Sequence, residues 1–167
     1  WVEHEFQLIE ELRKAEKDAQ EDRFDSATNR IQIVLAKLDI NSPTRPKATE
    51  LLNDVQSMQQ AHRAERAQNW DTALALLQKV HTNRPHWRNV ASELEHARNE
   101  HHALSYLREA TNALTTNDFK QAKSLLESIP ATSAYATEAQ KWLPVARVYE
   151  YLHAATTTYE SAEGSSQ

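Results

Sequence analysis

The sequence predicts an all-α protein, an array of antiparallel helix pairs made from seven helices, and three observations predict it. The first is composition. Among 167 residues there are one Gly and five Pro, so residues that lose little freedom in a helix abound and residues that break one are scarce. The second is a turn signal that recurs as Arg23-Phe24-Asp25-Ser26-Ala27, Asn69-Trp70-Asp71-Thr72-Ala73 and Asp118-Phe119-Lys120-Gln121-Ala122. Each is a polar residue, an aromatic, two polar residues and an alanine. Their alanines lie 46 and 49 residues apart, a period in the range of helix-pair repeats. The third is apolar spacing in steps of three and four, which makes one buried stripe per helix: Ile31, Val34, Leu35 and Leu38, then Leu74, Leu77 and Val80, then Leu125, Leu126 and Ile129.

The elements follow from these markers. Short helices are expected over 24–39, 70–82 and 118–129, each ended by a stretch with proline, which cannot supply the amide a continuing helix needs. Long helices are expected over 2–22, 44–68, 85–116 and 133–162, beginning near Pro46, Pro85 and Ser133, where proline suits a first turn and serine can cap free amides. A second recurring marker supports the register: Ala48-Thr49-Glu50-Leu51, Ala91-Ser92-Glu93-Leu94 and Ala136-Thr137-Glu138-Ala139 share nearly the same cadence. The polar stretch 98–102 is the weakest part of the third long helix, and a kink or break is expected there. Residues 1–163 read as one helical-repeat domain and 164–167 as a disordered tail. Phe24, Trp70 and Phe119 are expected to be buried beside the turns.

The stretch from Ala61 to Pro85 resembles a tetratricopeptide repeat, with Ala61 and Ala64 on a first helix, Trp70 at the turn, Ala73 opening a second helix, and Leu77, Val80 and Pro85 in the family's order. A looser match runs through Ala15, Phe24, Ala27, Ile31 and Val34, and a third through Tyr106, Ala110, Ala113, Phe119, Ala122, Leu126 and Ile129. Asn69 and Asp118 stand where the family often places glycine, and the period exceeds the family's usual length because the first helices are longer. The resemblance implies a right-handed superhelix of about three and a half repeats, with an inner groove that holds a partner segment. It also implies that this is no carboxylate-clamp adaptor. Leu12 and Glu16 occupy the clamp places of the first repeat and Leu104 one of the third's, which leaves Arg108 alone.

Composition excludes several classes. The formal charge is −5, from 24 acids and 19 bases that are mostly interspersed, so no broad positive field exists to condense on nucleic acid. No apolar run is long enough to span a membrane. The absence of cysteine rules out disulfides and leaves the compartment open. There is no glycine-rich phosphate loop, nucleophile elbow or cysteine nucleophile, so the expectation is a non-enzyme without cofactor. Glu93/His96 and Glu150/His153 have the Glu-x-x-His spacing used by di-iron bundles. With 8 His in the chain such pairs arise by chance, and no metal site is expected.

Protein or peptide partners are the expected ligands. From Thr72 to Ser92 the chain has no acid, and Arg84, Trp87 and Arg88 there are candidates for docking an acidic segment. Met58, His62, Glu65 and Arg66 share one face of the second long helix and are candidate groove residues, together with Arg108. The alternative is a structural spacer or dimerisation module within a larger membrane-linked or signalling protein, and the start at Trp1 fits a processed chain or a piece of a longer one. Trp142, Ala146, Tyr149, Leu152 and His153 predict an uncovered apolar stripe on the last long helix, open to a homodimer contact.

Overall fold

The computed structural model describes residues 2–164, and the side chains of residues 5–158. It is helical, with α1 Val2–Gln20, α2 Phe24–Lys37, α3 Thr44–Arg66, α4 Trp70–Asn83, α5 Arg88–Thr115, α6 Phe119–Glu127 and α7 Ala136–Gly164. The seven helices pack as adjacent pairs, α1 on α2, α2 on α3, α3 on α4 and α6 on α7. Their boundaries fall close to those read from the sequence. The expected break at 98–102 is not seen, because α5 runs through it unbroken. Gly164 is the last residue of α7, and the rest of the expected tail, 165–167, lies outside the described residues.

One turn is built three times. In the first, the Arg23 amide donates to the Asp18 carbonyl at 2.9 Å and the Asp22 amide to the Ala19 carbonyl at 3.2 Å. Asn69 and Gln68 reach back to Ala64 and Glu65 in the same way, and Asp118 and Asn117 to Ala113 and Leu114. These paired bonds close the orphan carbonyls of a helix end and require a left-handed residue between them. That residue is Asp22 (φ 58°), Gln68 (φ 54°) or Asn117 (φ 61°). The glycine missing at Asn69 and Asp118 is therefore not missed, since the left-handed place lies one residue earlier. Asn69 and Asp118 instead cap the next helix, their side chains accepting from the amides of Thr72 (3.2 Å) and Gln121 (3.0 Å).

The chain divides into two compact units, Trp1–Arg98 and Asn99–Gln167, and the division falls inside α5. In the first unit Ala15, Ala19, Ala27, Ala48, Ala61 and Ala73 are fully buried, which lets neighbouring helix axes approach closely. Ile31, Val34, Val55, Met58, Leu77, Val80, Trp87 and Val90 fill the space between them. The second unit has a leaner core, with Ala103, Ala110, Ala122, Ala139 and Ala146 around Leu126, Ile129 and Tyr135.

Buried acids tie loops to helices. Asp18 accepts from Arg23, from Ser26 Oγ at 2.7 Å and from Arg30 Nε at 2.9 Å. Asp54 on α3 accepts from Asn83 Nδ2 and Arg84 Nε, both at 2.8 Å. Glu100 on α5 accepts from Ser133 Oγ at 2.9 Å and from the Ala134 amide at 3.1 Å. Asp54 lies 14 residues before the left-handed Gln68 and Glu100 17 before the left-handed Asn117, so a buried acid on the long helix fastens the following loop twice, from positions one helical turn apart.

The turn aromatics differ in depth. Phe24 and Trp70 are buried, whereas Phe119 is only half-buried and stacks on Tyr149 with ring centroids 5.1 Å apart. Trp70→Ala is expected to lower stability by about 3–5 kcal/mol, and Phe119→Ala by only about 1–2 kcal/mol, in urea denaturation; equal losses would place both rings at the same depth. Hydrogen bonds from Arg23 and Ser26, aided by Arg30, outweigh burial and hold the Asp18 carboxyl down at about 2, from 3.8. A depressed folded-state value means stability that is present above pH 3.8 and is lost as pH falls towards about 2. Asp18→Asn should flatten that part of the acid-denaturation curve; a curve matching the parent's would show that Asp18 does not contribute to it.

Candidate functional site

The residues singled out from the sequence separate into three environments. Met58 and Trp87 are fully buried, out of a partner's reach. Trp87 donates its indole N–H to Glu16 at 2.9 Å, and His86 lies 3.0 Å from the same carboxylate. Burial pushes the Glu16 carboxyl up, but these hydrogen bonds win and leave it below its ordinary value. Arg84 is spent on Asp54 at 2.8 Å, its side chain 18% exposed and the aspartate's 1%. It thus neutralises a buried charge instead of facing solvent. Arg66, Arg88 and Arg108 are exposed. His62 and Glu65 are half-buried, and they belong to a cluster no single-helix reading could assemble.

That cluster draws on three elements of the first unit. His62 on α3 meets Glu93 on α5, with Nε2 2.8 Å from Oε2 and side chains 23% and 19% exposed. Asp22, in the left-handed place of the first turn, brings its carboxylate up so that one ligand atom from each of Asp22, His62 and Glu93 lies within 4.8 Å of the others. Asn89 on α5 positions Asp22 by donating Nδ2 to its Oδ1 at 3.1 Å and to the Ala19 carbonyl at 3.2 Å. The Phe24 ring meets the His62 imidazole edge-on at 4.9 Å, and Trp70 meets His96 likewise at 6.0 Å. The hydrogen bond to Glu93 raises the pKa of His62. Burial, reinforced by Glu93, raises that of Glu65, opposed by His62 and His96. The two i, i+3 pairs His62/Glu65 and Glu93/His96 thus converge from α3 and α5.

The other Glu-x-x-His pair does no such thing. Glu150 is taken by Lys123 at 2.8 Å, and His153 is exposed.

In the second unit the notable surface is α7. Ala139 and Ala146 are buried and Leu143 is half-buried on one side. At 100° per residue, Trp142, Val145, Val148, Tyr149, Tyr151 and Leu152 share the remaining half of the circumference, and all six are exposed, Val148 by 56%, Tyr151 by 75% and Leu152 by 51%. Of the expected stripe, Ala146 alone turns into the core. Val145, Val148 and Tyr151 widen it beyond what the sequence reading marked. No described helix is long and apolar enough to cross a membrane.

Comparison with protein-family models, characterised proteins and solved structures finds no match to this chain.

The ion-paired and the exposed arginines predict different mutational outcomes. Arg84→Ala strands the buried Asp54 charge and should cost about 3 kcal/mol or more, while Arg88→Ala and Arg108→Ala should stay within about 0.5 kcal/mol of the parent. Thermal and urea unfolding of the three variants measures this, and an unperturbed Arg84→Ala would return that residue to the list of free surface groups.

Proposed function

We propose that this chain is a protein-binding scaffold of tetratricopeptide-like design, a right-handed superhelix of about three and a half repeats, which works by contact and not by catalysis. Repetition supports the architectural part: three tight turns with one hydrogen-bond pattern, and a buried acid on each of α3 and α5 that fastens the loop into the next long helix. The observation that carries the binding part is the exposed apolar half of α7. Large apolar patches on a folded surface mark contact sites, and six exposed apolar side chains on one helix are a costly surface to leave in water, at roughly 25 cal/mol per Å².

The occupant that suits this face is an amphipathic helix of the kind the chain already uses. α1 is covered by α2 and α3 by α4, in each case by a 14-residue helix that opens with an aromatic and places alanine three residues on. A partner helix with one apolar stripe and small residues at its point of closest approach would cover α7 in the same manner. Of the candidate groove residues, Arg66, Arg88 and Arg108 are exposed.

The dimerisation alternative uses this same surface with a second copy as occupant, and one set of measurements separates the two. A labelled peptide with the α4 sequence, titrated with the parent chain and followed by fluorescence anisotropy, should bind saturably, and Val148→Glu with Leu152→Glu should abolish it. Sedimentation that shows a concentration-dependent dimer, lost in the same double variant, would favour self-association. A monomer that neither binds the helix nor self-associates would overturn the contact role of α7.

A further inference from the structure

We propose that Asp22, His62 and Glu93 form a binding site for a divalent first-row transition-metal cation of the zinc type, which would fasten the α1–α2 turn, α3 and α5 to one another. This inference stands apart from the protein-binding role and does not depend on it. It departs from the expectation of no metal site, which rested on Glu-x-x-His pairs arising by chance.

Geometry comes first. Zinc binds imidazole nitrogen and carboxylate oxygen at about 2.0–2.2 Å, so its ligand atoms sit roughly 3–3.5 Å from one another. His62 Nε2 and Glu93 Oε2 are already 2.8 Å apart, and an Asp22 oxygen lies within 4.8 Å of both. One nitrogen and two carboxylate oxygens are a donor set that zinc accepts, with a fourth position left for water or another oxygen.

A second, independent observation points to a missing ligand. Glu65 Oε1 and Asn89 Oδ1 are buried oxygens without a hydrogen-bond partner. Buried acceptors of this kind are normally satisfied, and both surround the cluster. The Glu65 carboxylate feels the charges of Glu93, His62 and His96, and Asn89 holds Asp22.

Charge completes the case. Asp22, Glu65 and Glu93 bring three carboxylates together, and among the described residues none of the three has a Lys or Arg within ion-pair distance. The His62–Glu93 contact offsets one of these charges when the imidazole is protonated. A dication at the same point would offset two. The support around it is of the kind that fixes ligand geometry: the Asn89 amide on Asp22, the Phe24 edge against His62, and helix spacing that sets His62 with Glu65 and Asn89 with Glu93.

The test is isothermal titration of the EDTA-treated full chain with zinc chloride at neutral pH, with cobalt chloride as a spectroscopic probe. One equivalent per chain is expected, with visible absorption from cobalt in a low-symmetry site. His62→Ala and Glu93→Gln should each weaken binding by about tenfold or more. His101→Ala with His102→Ala should leave it unchanged. Should His62→Ala fail to fold by circular dichroism, Glu93→Gln and Asp22→Asn, which keep side-chain shape, decide the matter. No binding at about 100 μM zinc, or binding undiminished by the substitutions at Asp22 and Glu93, would overturn the proposal.

Discussion

Three left-handed residues, Asp22, Gln68 and Asn117, govern how the helix pairs are joined. A non-glycine residue in that conformation costs on the order of 1 kcal/mol, and the cost is offset because the turn satisfies two carbonyls at the end of a long helix while delivering the chain directly to the next cap. Reversal within so few residues forces the two helices into close contact, and close contact demands small side chains at the seam. The fully buried alanines Ala15, Ala27, Ala61 and Ala73 are a consequence of the turn as much as of helix propensity. The aromatic that follows each turn then occupies the space where the two axes diverge, deeply for Phe24 and Trp70 and shallowly for Phe119.

The connections from short helix to next long helix obey a different rule. They are longer, and although one backbone turn recurs in them, with the amides of Arg45, Trp87 and Ala136 donating to the carbonyls of Ser42, Arg84 and Ser133, side chains fasten them to the long helices. Asp54 reaches Asn83 and Arg84; Glu100 reaches Ser133 and Ala134. In the first repeat the matching position is Leu8, which is buried and apolar, and there the loop is held instead by Arg45 donating to the carbonyls of Leu35 and Leu38. Loop closure by a buried acid is robust only while its donors are present, which is why Arg84 belongs to the scaffold although its sequence neighbourhood looks like a basic docking patch.

Helix positions were legible in the sequence because they depend on local signals: proline, caps, and apolar steps of three and four. Interior and exterior were less so. A helical stripe through Met58, His62, Glu65 and Arg66 gives which residues are neighbours but not how far the stripe is rotated into the core; Met58 is enclosed, Arg66 is exposed and the two between sit at the edge. Trp87 follows proline in a basic run, and nothing local announces that Glu16, 71 residues earlier, waits for its indole N–H. The His62–Glu93 pairing spans 31 residues and needs the register of α3 against α5, which no period in the sequence encodes. The available clue was the mirrored spacing, His62-x-x-Glu65 against Glu93-x-x-His96.

α7 shows the converse, a helix whose pattern is legible but whose surroundings are incomplete among the described residues. Apolar side chains on both sides of a helix read as a buried element, yet only the side bearing Ala139, Leu143 and Ala146 is covered. Pro144 sits inside this helix, where it removes one amide and leaves the Gln140 carbonyl without its usual partner. Both residues are exposed, so water can satisfy that carbonyl and the helix continues. A partner covering this side must therefore either leave the Gln140 carbonyl at the rim of the contact or supply a donor to it. Any helix laid on this side would therefore have an apolar stripe that stops short of the Gln140 carbonyl or carries a hydrogen-bond donor opposite it.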